Sequence, residues 1–410
     1  MRPLLFLSHR IPYPPDKGDK IRAWNMLRHL AQTHAVHVGC LIDDPADWAH
    51  VAALRAHCAS LACFPLRPRR QKLRALARMR PGRPLTLDYF HHAELRDWVT
   101  DKIVRERIGR AFVYSSAMAP YVMQAQGVET VLDLVDVDSS KWTAYAAEAR
   151  WPMRPVWARE GRTLLAFECE AARRADHVLL VSDAELAHFR AVAPAAARHA
   201  HAVSNGVDLD RFSPAHSFAD PMPGPSPTIV FTGAMDYRPN IDAVQWFADA
   251  VLPRLAGRQP PPTFWIVGAH PAEPVRRLAD RPGIHVTGRV DDTRPYLAHA
   301  DAVVAPLRIA RGIQNKVLEG MAMGRPVIAT PQAAEGIAAQ PGRDLLIGAD
   351  ADAMAACVAD VLDGLHPALG AEARRTVERA YDWSATLAPL DALWQSPGAP
   401  IRSRYTELAE

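Results

Sequence analysis

The sequence predicts an α/β protein of two Rossmann-like, doubly wound domains facing each other across a cleft. Three observations predict it: the chain length, two successive sets of short apolar runs alternating with helical patterns, and a proline-rich break between the sets. With 410 residues the chain exceeds one ordinary core and suits two domains of about 200 residues each. Runs that are apolar throughout, and separated by helices, belong to parallel sheets covered on both faces.

The first set of expected strands is Leu4–Ser8, Val36–Ile42, Leu61–Phe64, Phe112–Ser115, Val131–Val135 and Val178–Ser182. The second is Ile229–Thr232, Phe264–Val267, His285–Thr287, Ala302–Ala305 and Val327–Ala329. Between them, Pro221-Met222-Pro223-Gly224-Pro225-Ser226-Pro227 can sustain neither a helix nor a central strand. The linker is expected between Asn205 and Pro227, with domains over residues 1–205 and 206–380. Parallel sheets bind ligands at the carboxyl ends of their strands, so the loops there are the places to search. The first helix should present Ile21, Trp24, Leu27 and Ala31 on one face, with Asp19 capping its start. The tail beyond Ser396 is polar and contains Pro397 and Pro400.

Composition excludes several classes. Hydrophobic residues make up 49% and charged residues 23%, which is ordinary for a globular chain and argues against low-complexity disorder. A net charge of +3 does not describe a general polyanion binder. Cys40, Cys58, Cys63, Cys169 and Cys357 are scattered and lack the C-x-x-C pairing of a zinc site. They read as buried thiols of a reducing compartment, with Cys58 and Cys63 close in space. The apolar run Leu4–Leu7 is too short for a signal-peptide core, and no stretch reaches the length of a spanning helix. The expected location is the cytoplasm, with any membrane contact peripheral.

The strongest chemical signal is the run Arg311-Gly312-Ile313-Gln314-Asn315-Lys316-Val317-Leu318-Glu319, continued to Gly324 and the strand at Val327. It reads as a loop, a short helix starting near Gln314, a glycine stop and a buried strand. Lys316 then lies in the first helical turn, where a cation opposes the helix dipole by about 0.3–1 kcal/mol. An anion docked at that turn reverses the sign, because free backbone N–H groups and Lys316 would both address it. Glu319 lies on the same face one turn on, at a distance suited to ribose hydroxyls. An ordinary surface Lys–Glu pair has the same spacing, and spacing alone leaves the two readings open.

These residues resemble the donor-binding segment of GT-B glycosyltransferases of the family 4, or group 1, type. More narrowly, the chain is similar to sugar transferases of exosortase (PEP-CTERM)-associated exopolysaccharide systems. Phe231-Thr232-Gly233-Ala234-Met235-Asp236-Tyr237-Arg238-Pro239-Asn240 resembles the first loop of the family's donor domain. Ser204-Asn205-Gly206-Val207-Asp208 and Phe212-Ser213-Pro214 resemble its hinge, and Gly288-Arg289-Val290-Asp291-Asp292 its segment near the base. Asp133-Leu134-Val135-Asp136-Val137-Asp138-Ser139-Ser140-Lys141-Trp142 resembles the narrower group.

The resemblance implies a retaining, metal-independent transferase with no cofactor. It would move a sugar from a nucleotide diphosphate-sugar to a glycan or lipid-linked acceptor. Lys316 would neutralise the diphosphate, Glu319 would hold the ribose, Gly233 would admit the phosphates to the backbone, and Arg238 would add positive charge. Gly312, Ile313, Gln314, Asn315 and Arg289 complete the implied donor set. Fixed cations stabilise the charge that builds on a departing diphosphate, which a metal does elsewhere. The chain departs from the family twice: a glutamate usually stands where this sequence has Arg311, and an arginine where it has Ala234. Arg311 and Arg238 are expected to replace the lost charge.

On the acceptor side, Asp16, Lys17 and Gly18 form a loop after the first strand, and in the resembled family that loop faces acceptor and donor phosphate. Gly18 permits close backbone approach, and an ordinary β–α turn fits equally. Asp133, Asp136 and Asp138 cluster at a strand end. Asp136 is the best candidate for a catalytic carboxylate, with Asp138 toward the acceptor. A D-x-D metal site and a solvated turn are the alternatives. If the leaving phosphate takes the acceptor proton, Asp136 orients the acceptor or stabilises charge on the sugar.

Residues 67–83 hold Arg67, Arg69, Arg70, Lys72, Arg74, Arg78, Arg80 and Arg83 without an acid, interleaved with Leu73, Leu76 and Met79. Such a stretch suits an anionic membrane surface, at about 1 kcal/mol per basic residue, or a lipid diphosphate; a solvated helix face is the plain alternative. Nucleic acid is not expected, since no aromatic platform interrupts the run. Residues 381–410 resemble a C-terminal helix and tail that cross back to the first domain, with Trp383 packing between domains and Asp382 or Ser384 as cap. A nucleotide-sugar epimerase, or a non-catalytic partner on the same fold, are the competing functions.

Overall fold

The computed structural model describes residues 1–310 and 312–394. They form two compact units: Met1–Val203 joined by the described residues from Leu387 onward, and Ser204–Thr386.

The first unit is built on a seven-stranded sheet. Its strands are β1 (Arg2–Ser8), β2 (His34–Ile42), β3 (Ser60–Pro65), β4 (Arg110–Tyr114), β5 (Glu129–Val135), β6 (His177–Leu180) and β7 (Ala200–Ala202). Their order is β3-β2-β1-β4-β5-β6-β7, and all neighbours run parallel. Leu4, Leu5, Phe6 and Leu7 are fully buried, as expected of a central strand covered on both faces. The order reverses between β1 and β4, which makes the carboxyl ends of those two strands the crevice of this sheet.

The second unit carries a six-stranded sheet: β8 (Thr228–Thr232), β9 (Thr263–Val267), β10 (Ile284–Gly288), β11 (Ala302–Ala305), β12 (Val327–Ala329) and β13 (Leu346–Ile347). The order is β10-β9-β8-β11-β12-β13, again parallel throughout. Here the reversal falls between β8 and β11. Much of the expected linker is built into this unit, because Val207, Phe212 and Met222 are buried in its core.

The structure corrects several local expectations. β7 and β13 were not anticipated; each is too short, at three and two residues, to show a periodic pattern. Ser182 does not extend β6; its hydroxyl instead accepts from Glu185 N and caps the helix Asp183–Val192. The first helix, Gly18–Ala31, starts at Lys17 with no side-chain cap. Asp19 is not that cap, because Arg10 Nη1 donates to its carboxylate at 2.8 Å. The buried face of this helix includes Lys20 and Arg22 beside Trp24 and Leu27, whereas Ile21 and Ala31 are half-buried. Charged residues were invisible as core to an apolar pattern, yet Lys20 is held by Asp47 at 2.8 Å. Among the thiols, Cys40 and Cys63 approach to 3.5 Å across β2 and β3, while Cys58 Sγ donates to Leu54 O.

The helix Trp383–Leu393 is entered through Asp382, whose carboxylate accepts from Ser384 N and Oγ. Trp383 packs on Gly206, both within the second unit; a Cβ on Gly206 would lie 2.9 Å from the indole. Among the described residues no helix is long and apolar enough to cross a membrane.

Candidate active site

In the second unit the site is assembled where β8 and β11 diverge. The helix Asn315–Ala322 buries Val317, Leu318, Met321 and Ala322 on one side, and Gly320 lets it approach Val303 and Val327. The chain leaves through Gly324 at φ +66°, a conformation that suits glycine. This packing fixes the first turn, and with it Lys316.

Lys316 is not a surface lysine. Its ammonium donates to Asn240 Oδ1 at 2.6 Å and sits 4.4 Å above the centre of the Phe231 ring. Asn240 is itself held by donation from Nδ2 to Ala234 O at 2.9 Å. Glu319 acts on the lysine by charge without forming an ion pair with it, so the plain Lys–Glu surface pair is excluded. Both side chains are half-buried, and the Lys316 ammonium lies between Asn240 and the Phe231 ring. Burial pushes Lys316 down to about 7, against the opposing pull of Glu319. Burial pushes Glu319 up to about 7, against Lys316 and Arg211.

Two glycines open the strand ends beside this ammonium. A Cβ on Gly233 would lie 2.7 Å from Asn240 Nδ2 and 3.3 Å from Lys316 Nζ. A Cβ on Gly268, after β9, would lie 1.7 Å from Gly233 O. Only bare backbone fits at both positions; the Gly233 N–H is donated to Val267 O at 3.0 Å, and the strand ends beside the Lys316 cation stay clear of side chains, which suits a diphosphate.

The other expected donor residues are placed as follows. Gly312 turns at φ +64° and Ile313 is buried. Gln314 is the helix cap residue, and its Nε2 donates to Gly312 O at 3.1 Å. Asn315 Oδ1 accepts from Asn205 Nδ2 at 3.2 Å, tying the hinge segment to the helix start. Arg238 opens the helix Arg238–Trp246 and is exposed, as is Arg289 after β10. Arg311 lies outside the described residues. Asn240 was not anticipated as a site residue; the lysine it orients was the only signal for it, and that signal appears only on folding.

In the first unit the acidic cluster separates into different jobs. Asp133 is not a strand-end ligand but a core residue: Arg22 donates to both its oxygens at 2.8 and 3.1 Å, and both side chains are fully buried. Asp136 follows Val135, a β-branched residue held at φ +67°. That is a costly conformation for valine and marks a bend the fold enforces. Burial, helped by Glu185 and Asp138 and opposed by Lys141, pushes the Asp136 carboxyl up to about 7. Asp138 starts the helix Asp138–Glu148 and pairs with Lys141 at 3.1 Å. Asp16 is exposed and lies 3.3 Å from Lys20 Nζ; Lys17 and Gly18 form the helix start. Among the described residues no group of three or more His, Cys, Asp or Glu could hold a metal ion.

Residues 226–364 match the family described as glycosyl transferases group 1. A sucrose-phosphate synthase from Thermosynechococcus elongatus superposes with a TM-score of 0.72 at 18% identity, over 96% of this chain and 98% of that one. The chain has a GT-B glycosyltransferase fold. Other GT-B structures agree: Anabaena HepE in complex with UDP-glucose gives 0.66 at 15% identity, covering 96% of this chain and 100% of that one. WaaG, a glycosyltransferase of lipopolysaccharide biosynthesis, gives 0.64 at 16% identity over 94% and 98%. Among curated proteins none matches by sequence. Within this GT-B fold the matched segment contains Gly233, Asn240, Lys316 and Glu319.

Proposed function

We propose that this protein is a retaining, metal-independent hexosyltransferase of exopolysaccharide biosynthesis. It moves a sugar from a nucleotide diphosphate-sugar to a glycan or lipid-linked acceptor. The observation that carries the reading is the Lys316 ammonium, bound to Asn240 and flanked by Gly233 at the point where the strand order reverses. An ammonium with so little compensation is costly in the free protein and becomes favourable once a diphosphate reaches it. Lys316, with Arg238 and Arg311 contributing charge, stabilises the departing nucleotide diphosphate as the anomeric bond breaks. Glu319 accepts from ribose hydroxyls, and Arg289 lies toward the base. The leaving phosphate takes the acceptor proton, while Asp136 orients the acceptor, assisted by Asp16, Lys17, Gly18 and Asp138.

The UDP-glucose complex of HepE makes UDP-glucose the first donor to try. Nucleotide release from a panel of nucleotide-sugars, with and without a membrane extract as acceptor source, tests the proposal. Acceptor-dependent release that survives EDTA and drops at least a hundredfold in Lys316→Ala supports it. Isomerised donor points instead to an epimerase, silence with all donors to a non-catalytic partner, and loss in EDTA removes the metal-independent reading.

The basic stretch supports work at the cytoplasmic membrane face. The helix Pro68–Ala77 buries only Gln71 and Ala75. Its apolar residues point outward instead: Leu73 is 71% exposed and Leu76 51%, beside eight exposed Arg or Lys over residues 67–83. Exposed leucines ringed by cations suit anionic lipid. Arg159 ties the neighbouring helix Met153–Arg174 to the carbonyls of Arg80 and Arg83, and Trp151, just before that helix, is 84% exposed. Co-sedimentation with vesicles containing a third phosphatidylglycerol should be strong at low salt and fall at least tenfold in Arg70→Glu/Arg74→Glu. Equal binding to neutral vesicles would reject this contact.

A further inference from the structure

The first unit holds a pair of thiols that the transfer reaction does not use. Cys40 lies on β2 and Cys63 on β3, the edge strand, and the register sets them directly opposite each other. Residues paired in this way send their side chains to the same face of the sheet. The two sulfurs are 3.5 Å apart, within reach of a thiol hydrogen bond. Neighbouring strands lie about 4.7–4.9 Å apart, inside the Cα separation of about 4.4–6.8 Å that a disulfide spans. Drawing the sulfurs together to about 2.05 Å therefore needs side-chain rotation and little backbone movement.

The two thiols are not equivalent. Cys40 is fully buried, and donating to Cys63, together with burial, pushes its pKa up. Cys63 is half-buried on the edge strand. Accepting the hydrogen bond from Cys40 lowers its pKa against the effect of burial, and the Arg55 cation lowers it further. The thiolate is the nucleophile toward an oxidant, so Cys63 is placed to attack and Cys40 to resolve. The remaining thiols lack this arrangement. Burial pushes Cys58 up to about 12, and its Sγ donates to Leu54 O. Burial likewise raises Cys169 and Cys357.

We propose that Cys40 and Cys63 form a reversible oxidation site that a hydroperoxide converts to a disulfide. The Cys63 thiolate attacks a peroxide oxygen and the O–O bond breaks. Cys63 becomes a sulfenic acid, and the departing hydroxide or alkoxide takes the proton that Cys63 gave up. The Cys40 sulfur then attacks the Cys63 sulfur. The S–S bond forms, the S–O bond breaks, and the hydroxide leaves as water with the Cys40 proton. The two thiols lose two electrons and the peroxide gains them. A dithiol reductant reverses the change by exchange through a mixed disulfide. The bridge would tie the edge strand to β2 two residues before Pro65, where β3 ends and the chain turns toward the basic stretch of residues 67–83. The site stands whether or not the transferase reading does.

The test uses full-length protein, reduced, freed of reductant and treated with stoichiometric hydrogen peroxide, followed by peptide mapping in a mass spectrometer. The expected product is a Cys40–Cys63 cross-linked peptide pair, lighter by two hydrogens and restored by dithiothreitol. Cys63 should be oxidised at least tenfold faster than Cys58, Cys169 or Cys357. In Cys40→Ala, Cys63 should stop at the sulfenic acid, which dimedone traps; in Cys63→Ala, Cys40 should stay reduced. Either substitution touches a packed strand, so the wild-type map decides on its own. No bridge, a bridge from Cys63 to Cys58 instead, or oxidation of Cys63 no faster than of Cys169 and Cys357 overturns the proposal. So does a folded Cys40→Ala protein in which dimedone leaves Cys63 unlabelled.

Discussion

Raising the pH through the titration of Lys316 should weaken nucleotide-sugar binding by an amount that follows from its burial. In the free protein the ammonium is pushed down to about 7, mainly by desolvation. A diphosphate placed against it supplies the missing counter-charge and raises its pKa in the complex. The complex therefore keeps a proton that the free protein gives up above about pH 7. Affinity is fully present below that pH and is lost as pH rises toward the bound pKa. Relative to the acid limit, the dissociation constant grows by about twofold at pH 7 and about elevenfold at pH 8 from this one group. The fall of about tenfold corresponds to about 1.4 kcal/mol. UDP-glucose is the suitable probe, because its diphosphate does not titrate in this range. Calorimetry in two buffers of different ionisation enthalpy should show uptake of about half a proton at pH 7. Glu319 titrates near the same pH, so the contribution of the lysine is read as wild type minus Lys316→Met. The variant should bind at least tenfold more weakly at pH 6 and lose the uptake assigned to the lysine. An identical pH slope in both proteins would refute the argument, whatever the affinity.

The same two groups predict an unusual stability profile without ligand. Glu319 is raised from 4.5 to about 7, so stability falls as pH climbs between those values, and Lys316 is lowered from 10.5 to about 7, so stability recovers above it. Denaturation at pH 5, 7 and 9, referenced to Lys316→Met/Glu319→Gln, should show a dip near pH 7 of about 2 kcal/mol after allowance for partial exposure; a flat difference contradicts it. Gly233→Ala should cost about 1–3 kcal/mol and weaken UDP-glucose binding at least tenfold in a thermal-shift titration, because the new methyl meets Asn240 at 2.7 Å. Unchanged affinity would mean that this backbone is not where the phosphates sit. Arg22→Met should destabilise the first unit by about 3–5 kcal/mol, since it strands the fully buried Asp133. A melting temperature within a degree of wild type would remove Arg22–Asp133 from the core.

How much of this was legible beforehand depended on which physical signal each residue sends. Strands such as Leu4–Leu7 announced themselves because a parallel strand covered on both faces must be apolar at successive positions. The proline run before β8 announced a break because proline lacks the N–H that a helix or central strand needs. Lys316 and Glu319 could be placed on one helix face by spacing alone. Spacing could not say whether that face met solvent. Packing of Val317, Leu318 and Met321 decided it, turning the lysine toward Asn240 and Phe231.

Other outcomes required the third dimension altogether. Asp133, Asp136 and Asp138 look alike in the sequence, yet one is neutralised inside the core, one is desolvated beyond a strained valine, and one pairs with a lysine a turn away. Their difference comes from Arg22, 111 positions from Asp133, which no local pattern can register. The basic stretch could be read from the sequence as a membrane-facing surface or as a plain solvated face; its leucines turn outward because Gln71 and Ala75 are all of the helix that the unit buries. By itself the sequence determined the alternation of elements, the two-sheet architecture and the positions of glycine and lysine that suit a phosphate. Only the tertiary structure decided which charges are desolvated, because desolvation is a property of everything that surrounds an atom and not of its neighbours along the chain.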